Sequence, residues 1–130
     1  MRLLLDTHVL LWAMTGDPKL SDSWAAMLRS RENDVAVSAV SIWEITIKAM
    51  LGKMKIDIHE LSRKVGEAGF TELPLRFLHS QNLEVLPPHH GDPFDRMLIA
   101  QSIADGRRLV TVDAKILKYV GVVGFAPLRA

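Results

Sequence analysis

The sequence contains no cysteine and no apolar run long enough to cross a membrane. The absence of cysteine excludes disulfides, thiolate metal sites and a cysteine nucleophile, so any metal ion must be bound by oxygen or imidazole ligands. A membrane-spanning helix needs about 20 apolar residues. The apolar residues 3–5 are followed at once by Asp6, unlike the apolar region of a secretory leader. We therefore expect a soluble, cytoplasmic protein.

The sequence also lacks an excess of either charge. Sixteen Lys and Arg against fifteen Asp and Glu give a net charge of +1, which is too balanced for a uniformly basic, nucleic-acid-coating surface. A nucleic-acid substrate would therefore need a local basic patch. The candidates are Lys48, Lys53 and Lys55, and the pair Arg107 and Arg108. On sequence alone, solvated faces that keep the chain soluble are the favoured explanation of both clusters.

Short apolar runs alternate with helical patterns along the chain, which at 130 residues and 48% apolar composition is expected to form one domain, residues 1–130. Strands are predicted at residues 3–5, 35–38, 70–73, 109–112 and 122–125. Helices are predicted at residues 9–14, 21–29, 41–52, 59–68, after Pro74, at 93–106 and for one turn after Asp113. Because strands separated by helices pair in parallel, the predicted fold class is α/β, a parallel β-sheet flanked by α-helices.

Four acidic residues fall at positions that this alternation assigns to one edge of the sheet. Asp6 follows the run LLL and Asp113 follows LVTV, so each leaves the carboxyl end of a buried strand. Open α/β sheets bind their ligands at that edge. Glu44 and Asp95 lie in the predicted first turns of helices that begin at the same edge. We expect the four carboxylates to converge, provided that the strands involved are central neighbours.

Each acid also has a purely structural explanation. Glu44 can form a capping box with Ser41 and a helical ion pair with Lys48. Asp92 can cap a helix, and Asp95 can interact favourably with the helix dipole from the first turn. Asp6 and Asp113 can form turns. Independent capping residues have no reason to converge, so convergence would indicate a shared function.

Convergence of carboxylates has an energetic cost that indicates the chemistry. Two carboxylates about 4 Å apart repel by roughly 4 kcal/mol at an effective dielectric near 20, so the cluster must bind protons or a cation. An all-oxygen site selects Mg²⁺ or Mn²⁺, which suit phosphate substrates. One or two such ions can activate water and stabilise charge on a phosphodiester. The sequence therefore predicts metal-dependent hydrolysis of phosphodiester bonds.

Four segments in a fixed order span nearly the whole chain: LLLDTHVLLW from Leu3, SIWEITIK from Ser41, HGDPFDRMLIAQS from His90 and LVTVD from Leu109. A single D-T-H or T-x-D motif would be uninformative. In this combination the segments resemble the PIN-domain ribonucleases, and most closely the VapC toxins of VapBC-type toxin-antitoxin systems.

The resemblance implies a PIN-like sheet and RNA hydrolysis with Mg²⁺ or Mn²⁺ bound by the family's four acids, here Asp6, Glu44, Asp95 and Asp113. Thr111 matches the hydroxyl residue of the family's T-x-D motif, and Asp92 and Lys48 are supporting candidates. His8 departs from the family, because many PIN domains carry a small polar residue such as Asn or Ser at that place. Its role is open between a substrate contact and a packed or solvated side chain.

The resemblance further implies two protein partners, a cognate VapB-like antitoxin that covers the active site and a second copy of the chain in a homodimer. Trp12, Trp24, Trp43 and the six methionines can serve such interfaces, although helical aromatic and methionine residues more often belong to the core.

A receiver-like, Mg²⁺-binding phosphoacceptor signalling domain is the main alternative, because it has the same fold class and length. Such a domain normally has an acidic pair after its first strand and a lysine after its last core strand. Here Asp6 stands alone, and the segment GVVGFAP contains no lysine. A phosphatase with a D-x-D nucleophile loop would need an acid where His8 stands. A catalytically inactive PIN fold is disfavoured because all four acids are present.

Overall fold

A computed structural model describes residues 1–130 as one five-stranded sheet and seven α-helices. The strands are β1 Arg2–Leu5, β2 Asp34–Ser38, β3 Thr71–Leu73, β4 Arg108–Thr111 and β5 Leu128–Arg129. The helices are α1 Thr7–Thr15, α2 Asp22–Arg29, α3 Ala39–Met50, α4 Ile58–Glu67, α5 Phe77–Gln81, α6 Pro93–Asp105 and α7 Ala114–Leu117, with a 3-10 turn at Asn82–Val85. None of these helices has the length and apolar character that a bilayer span requires.

All strand pairs are parallel, and the strand order is β3-β2-β1-β4-β5. In the centre of the sheet, Leu4 of β1 lies between Ala36 of β2 and Leu109 of β4. The chain runs from β1 outward to β2 and β3, and then returns to β4 on the other side of β1. The connections after β1 and β4 therefore leave in opposite directions, which opens a crevice at the carboxyl ends of these two neighbours.

The apolar runs of the strands are buried on both faces of the sheet. Leu3 and Leu5 belong to one core cluster, against which α1, α2 and α4 pack, whereas Leu4 belongs to a second cluster with residues of α6 and α7. Side chains alternate between the faces of a strand, so three consecutive buried leucines require cover on both sides. The predicted parallel sheet with helices on both faces is confirmed.

The prediction of an edge strand at residues 122–125 is wrong. This segment forms turns, and the edge strand β5 comes later, at Leu128–Arg129 beside β4. Gly121 and Gly124 adopt φ values of 109° and 86°, which an extended strand does not contain. Phe125 is instead buried in the second core cluster, so its apolar character reflects packing and not strand formation.

The predicted start of α3 at Ser41 is also wrong. The helix begins at Ala39, immediately after the last residue of β2, and Ser38 is its cap. The Ser38 hydroxyl accepts a hydrogen bond from the Val40 N–H at 3.0 Å and donates to the buried Gln101 side chain. Ser41 therefore lies inside the helix, the capping-box explanation does not apply, and Glu44 belongs to the second turn.

Candidate active site

Asp6 connects the end of β1 to the start of α1. Its backbone N–H donates to the Val110 carbonyl oxygen of β4 at 3.0 Å, and its Oδ1 caps α1 by accepting from the Val9 N–H at 2.8 Å. The Thr111 hydroxyl donates to the other oxygen, Oδ2. Burial raises the pKa of Asp6, while the bonds from Thr111 and Val9 and the charge of His8 lower it and the charge of Asp113 raises it. Asp6 is therefore a nearly enclosed carboxyl at the central crevice.

Asp113 lies two residues beyond β4 and caps α7, since its Oδ1 accepts from the Lys115 N–H at 2.8 Å. The Asp113 N–H donates to the Thr111 hydroxyl oxygen at 3.0 Å. Thr111 thus connects the backbone at Asp113 with the carboxylate of Asp6. The hydrogen bonds of this single hydroxyl therefore link the end of β1 to the end of β4.

Asp95 lies in the first turn of α6, as the sequence predicted. Asp92 caps this helix by accepting from the Phe94 and Asp95 N–H groups at 2.9 and 3.1 Å, and Pro93 occupies the first helical position. Burial raises the pKa of Asp95 to about 6, and a hydrogen bond from His90 lowers it.

Three neighbouring negative charges also raise the pKa of Asp95, and two of them belong to the predicted site, Asp113 and Glu44. The third is the cap residue Asp92. Because electrostatic repulsion falls off with distance, these contributions mean that the carboxylates from α3, α6 and the end of β4 share one region.

Glu44 points from the second turn of α3 into a buried environment, with only 5% of its surface exposed. Its Oε1 accepts from the Thr7 hydroxyl at 2.7 Å, and its Oε2 bonds to Lys48 Nζ at 2.8 Å. The predicted ion pair with Lys48 is therefore present. Thr7 follows Asp6 directly, so it links Glu44 to the segment that positions Asp6.

The four predicted acids thus form a connected series at the carboxyl edge of the sheet, in which Asp113 interacts electrostatically with both Asp6 and Asp95, and Asp95 with Glu44. No group of three or more His, Asp or Glu side chains is placed to hold a metal ion as the side chains stand. The donor set consists of carboxylate and hydroxyl oxygens, which suits Mg²⁺ or Mn²⁺. A cation would also relieve the repulsion that raises the pKa of Asp95. Metal ligation by these acids stays a prediction that fits the chemistry of the site.

His8 is exposed on α1, and its ring lies 6.2 Å from that of Trp12. A positive charge on this ring lowers the pKa of the neighbouring Asp6. The structure therefore places His8 beside the candidate site as a solvated side chain and not as a core residue. A contact between His8 and substrate stays a prediction.

Sequence reasoning did not identify three residues that the structure places around the four acids, Thr7, His90 and Tyr119. Thr7 holds Glu44, and His90 Nε2 lies 3.2 Å from Asp95 Oδ2 while its Nδ1 lies 2.8 Å from the Tyr119 hydroxyl. The signal for His90 was its place five residues before Asp95 in a Pro- and Gly-rich loop. No sequence pattern indicates that Tyr119 would lie beneath that loop.

Comparison with known proteins identifies the family. The sequence profile of the PIN domain matches residues 3–122. The chain is 28% identical over 120 residues to ribonuclease VapC22 of Mycobacterium tuberculosis, an alignment that covers 87% of this chain and 88% of the relative.

Solved structures of VapBC proteins share the fold. The chain matches VapBC2 of Rickettsia felis, bound to a promoter DNA fragment, with a TM-score of 0.71 and 15% identity, covering 99% of this chain and 98% of the other. It matches VapBC-5 of Mycobacterium tuberculosis, a member of the VapBC family of toxin-antitoxin systems, with a TM-score of 0.68 and 17% identity. This match also covers 99% of this chain and 98% of the other. Since the PIN domain profile covers almost the entire sequence, the chain belongs to the PIN domain family.

Proposed function

We propose that residues 1–130 form a single catalytic PIN domain, a VapC-type endoribonuclease that hydrolyses RNA phosphodiester bonds with Mg²⁺ or Mn²⁺. The observation that carries the proposal is the series of four acids at the central crevice, supplied by four separate parts of a PIN-family chain. The relative in Mycobacterium tuberculosis is named a ribonuclease, which supports RNA as the substrate.

The metal is proposed to be held by Asp6, Glu44, Asp95 and Asp113. When bound, a divalent ion supplies Lewis-acid stabilisation of the phosphate and lowers the pKa of a bound water. The protein's own contribution is to orient the ligands. Thr111 and the N-terminus of α1 fix both oxygens of Asp6, and Thr7 fixes one oxygen of Glu44.

Lys48 supports the site from α3. It bonds to Glu44 Oε2 at 2.8 Å, yet 38% of its side chain is exposed. An ammonium group has three donors, so the remaining N–H bonds of Lys48 can be donated to an RNA phosphate. This gives the substrate backbone a cation at the edge of an otherwise acidic crevice.

The receiver-like signalling domain finds no support in these comparisons, because the family profile and the structural neighbours are PIN domain and VapBC proteins. We therefore retain hydrolysis of RNA as the function.

The proposal includes a cytoplasmic location and two partners, a cognate VapB-like antitoxin and a second copy of the chain. The structural neighbours are toxin–antitoxin proteins, which supports the antitoxin. Trp12 and Trp24 are partly buried against the first core cluster. Trp43 and Met50 of α3 are 55% and 82% exposed, and they are candidates for the homodimer interface.

The function is tested by incubating the purified chain with single-stranded RNA in Mg²⁺ or Mn²⁺, with and without EDTA. We expect cleavage that EDTA stops, and we expect Asp95→Asn to abolish cleavage while the circular dichroism spectrum stays native. Asp57→Asn, at the cap of α4 and not among the four proposed metal ligands, is the matched control and should cleave normally. Cleavage in EDTA would contradict the metal requirement, and full cleavage by Asp95→Asn would remove Asp95 from the site.

A further inference from the structure

The hydrogen bonds around His90 determine which of its ring nitrogens carries the proton. Arg96 of α6 donates one Nη1–H to the Pro87 carbonyl oxygen and the other to the Tyr119 hydroxyl oxygen, both at 2.8 Å. The His90 backbone N–H donates to the same hydroxyl oxygen at 3.4 Å. Arginine has no acceptor atom, so Tyr119 must accept from it.

Tyr119 then has only one place to direct its own proton. Its side chain is fully buried, and its oxygen already accepts from two donors. The remaining neighbour is His90 Nδ1, at 2.8 Å. Because a buried hydroxyl is rarely left without an acceptor, the Tyr119 proton is donated to Nδ1, and the His90 proton belongs on Nε2.

We propose that Arg96 and Tyr119 hold His90 as the Nε2–H tautomer, so that its ring donates to Asp95 Oδ2 and positions that carboxylate for metal binding. The inference rests on the proposed function, in which Asp95 is a metal ligand. His90 is a positioning residue, since it acts through Asp95.

The geometry at Asp95 fits this role. Oδ2 lies 3.2 Å from His90 Nε2, whereas no hydrogen bond within the protein engages Oδ1. The carboxylate therefore has one oxygen restrained and one oxygen open. Hydrogen bonds to metal-ligating groups from such outer partners commonly change metal affinity by about 10- to 100-fold.

The tautomer is measured directly by ¹⁵N NMR of the histidine side chains in the metal-free protein at about pH 8.5, above the ordinary imidazole pKa. The chain has five histidines, and the signal that disappears in His90→Gln identifies His90. We expect the Nε2–H form. A Nδ1–H form, or an equal mixture of the two, would overturn the inference even if the protein cleaves RNA normally.

The positioning role is tested by Mn²⁺ affinity, measured by electron paramagnetic resonance without RNA. Glutamine places an amide donor near the position of Nε2, whereas asparagine reaches only the position of Nδ1. We expect His90→Asn to weaken Mn²⁺ binding by about 10- to 100-fold, and His90→Gln to retain most of the affinity. Equal loss in both variants, or loss in neither, would contradict positioning. Failure of the wild-type chain to bind Mn²⁺ would instead refute the proposed function, and the tautomer would remain measurable.

Tyr119→Phe separates the hydroxyl from the packing of the ring. If Tyr119 acts through His90, the variant should weaken Mn²⁺ binding in the wild-type background and add nothing in the His90→Asn background. Fully additive losses in the double variant would show that Tyr119 acts independently, against the inference.

Discussion

At Asp95, burial and three neighbouring carboxylates all act to raise the pKa, which reaches about 6. A carboxyl whose pKa is raised on folding stabilises the folded state below its unfolded pKa, near 3.8, and loses that contribution as the pH rises through about 6. The metal-free protein is therefore expected to carry an electrostatic penalty at neutral pH that it does not carry in acid.

Asp95→Asn should remove this penalty. In EDTA, we expect the variant to melt at a higher temperature than the wild type at about pH 8, by a few degrees for an effect on the order of 1 kcal/mol after solvent screening. The advantage should shrink as the pH falls below about 5. Thermal melts of both proteins across this range provide the measurement, and a difference that does not depend on pH would contradict the electrostatic explanation.

The residue scale also shows which parts of the site could be predicted from sequence. Asp6 and Asp113 end apolar runs, and Asp95 follows a cap signal, so local patterns are sufficient to place them. The bond from Thr7 to Glu44 and the contact from Tyr119 to His90 join residues 37 and 29 positions apart. Such contacts depend on how segments far apart in the sequence pack together, which local patterns do not determine.

At the scale of elements, the start of α6 determines the position of Asp95. Asp92→Ala should remove both cap bonds and lower the unfolding free energy by about 1 kcal/mol. Because the first turn of α6 carries Asp95, we also expect a loss of RNA cleavage and of Mn²⁺ binding.

Asp57→Ala provides the matched control, since Asp57 caps α4 with the same pair of bonds, to the His59 and Glu60 N–H groups at 2.9 and 3.2 Å. It should lower the melting temperature by a similar amount and leave cleavage unchanged. Equal cleavage by the two variants would mean that the cap of α6 only stabilises the fold.

Elements with strong local signals were predicted, and those defined by pairing were not. The Asp-Pro start of α6 and its end at Gly106, which adopts φ 63°, are visible in the sequence. The two residues of β5 are a strand only because they pair with β4, and a segment so short has no periodicity. The apolar residues 122–125 resemble a strand more than the two residues of β5 do, but their glycines and the burial of Phe125 favour a turn.

For the whole molecule, alternation of strands and helices predicts parallel pairing but not the order of the strands. Convergence of the acids required β1 and β4 to be neighbours, and they are. The order depends on which strands the helices can cover on both faces, and this is a property of the complete core.

A whole-molecule prediction follows from the proposed toxin function. Expression of the wild-type chain should arrest bacterial growth, and co-expression of the cognate antitoxin should restore it, because an occupied crevice excludes RNA. Asp95→Asn, expressed at the same level, should permit growth without the antitoxin. Growth counts and immunoblots give the measurement, and unaffected growth at confirmed wild-type expression would count against a toxin.

The central claim is that the four acids form one metal site, and thermal melts of the wild type and Asp113→Asn in EDTA and in Mn²⁺ test it most directly. Asparagine is as good a helix cap as aspartate, so the variant keeps the bond from Lys115 and loses only the charge. We predict that Asp113→Asn melts at a higher temperature than the wild type in EDTA, by a few degrees for about 1 kcal/mol, and gains less from Mn²⁺. Asp57→Asn should match the wild type in both conditions. A wild type that Mn²⁺ does not stabilise, with a lower EDTA melting temperature for Asp113→Asn, would contradict the claim.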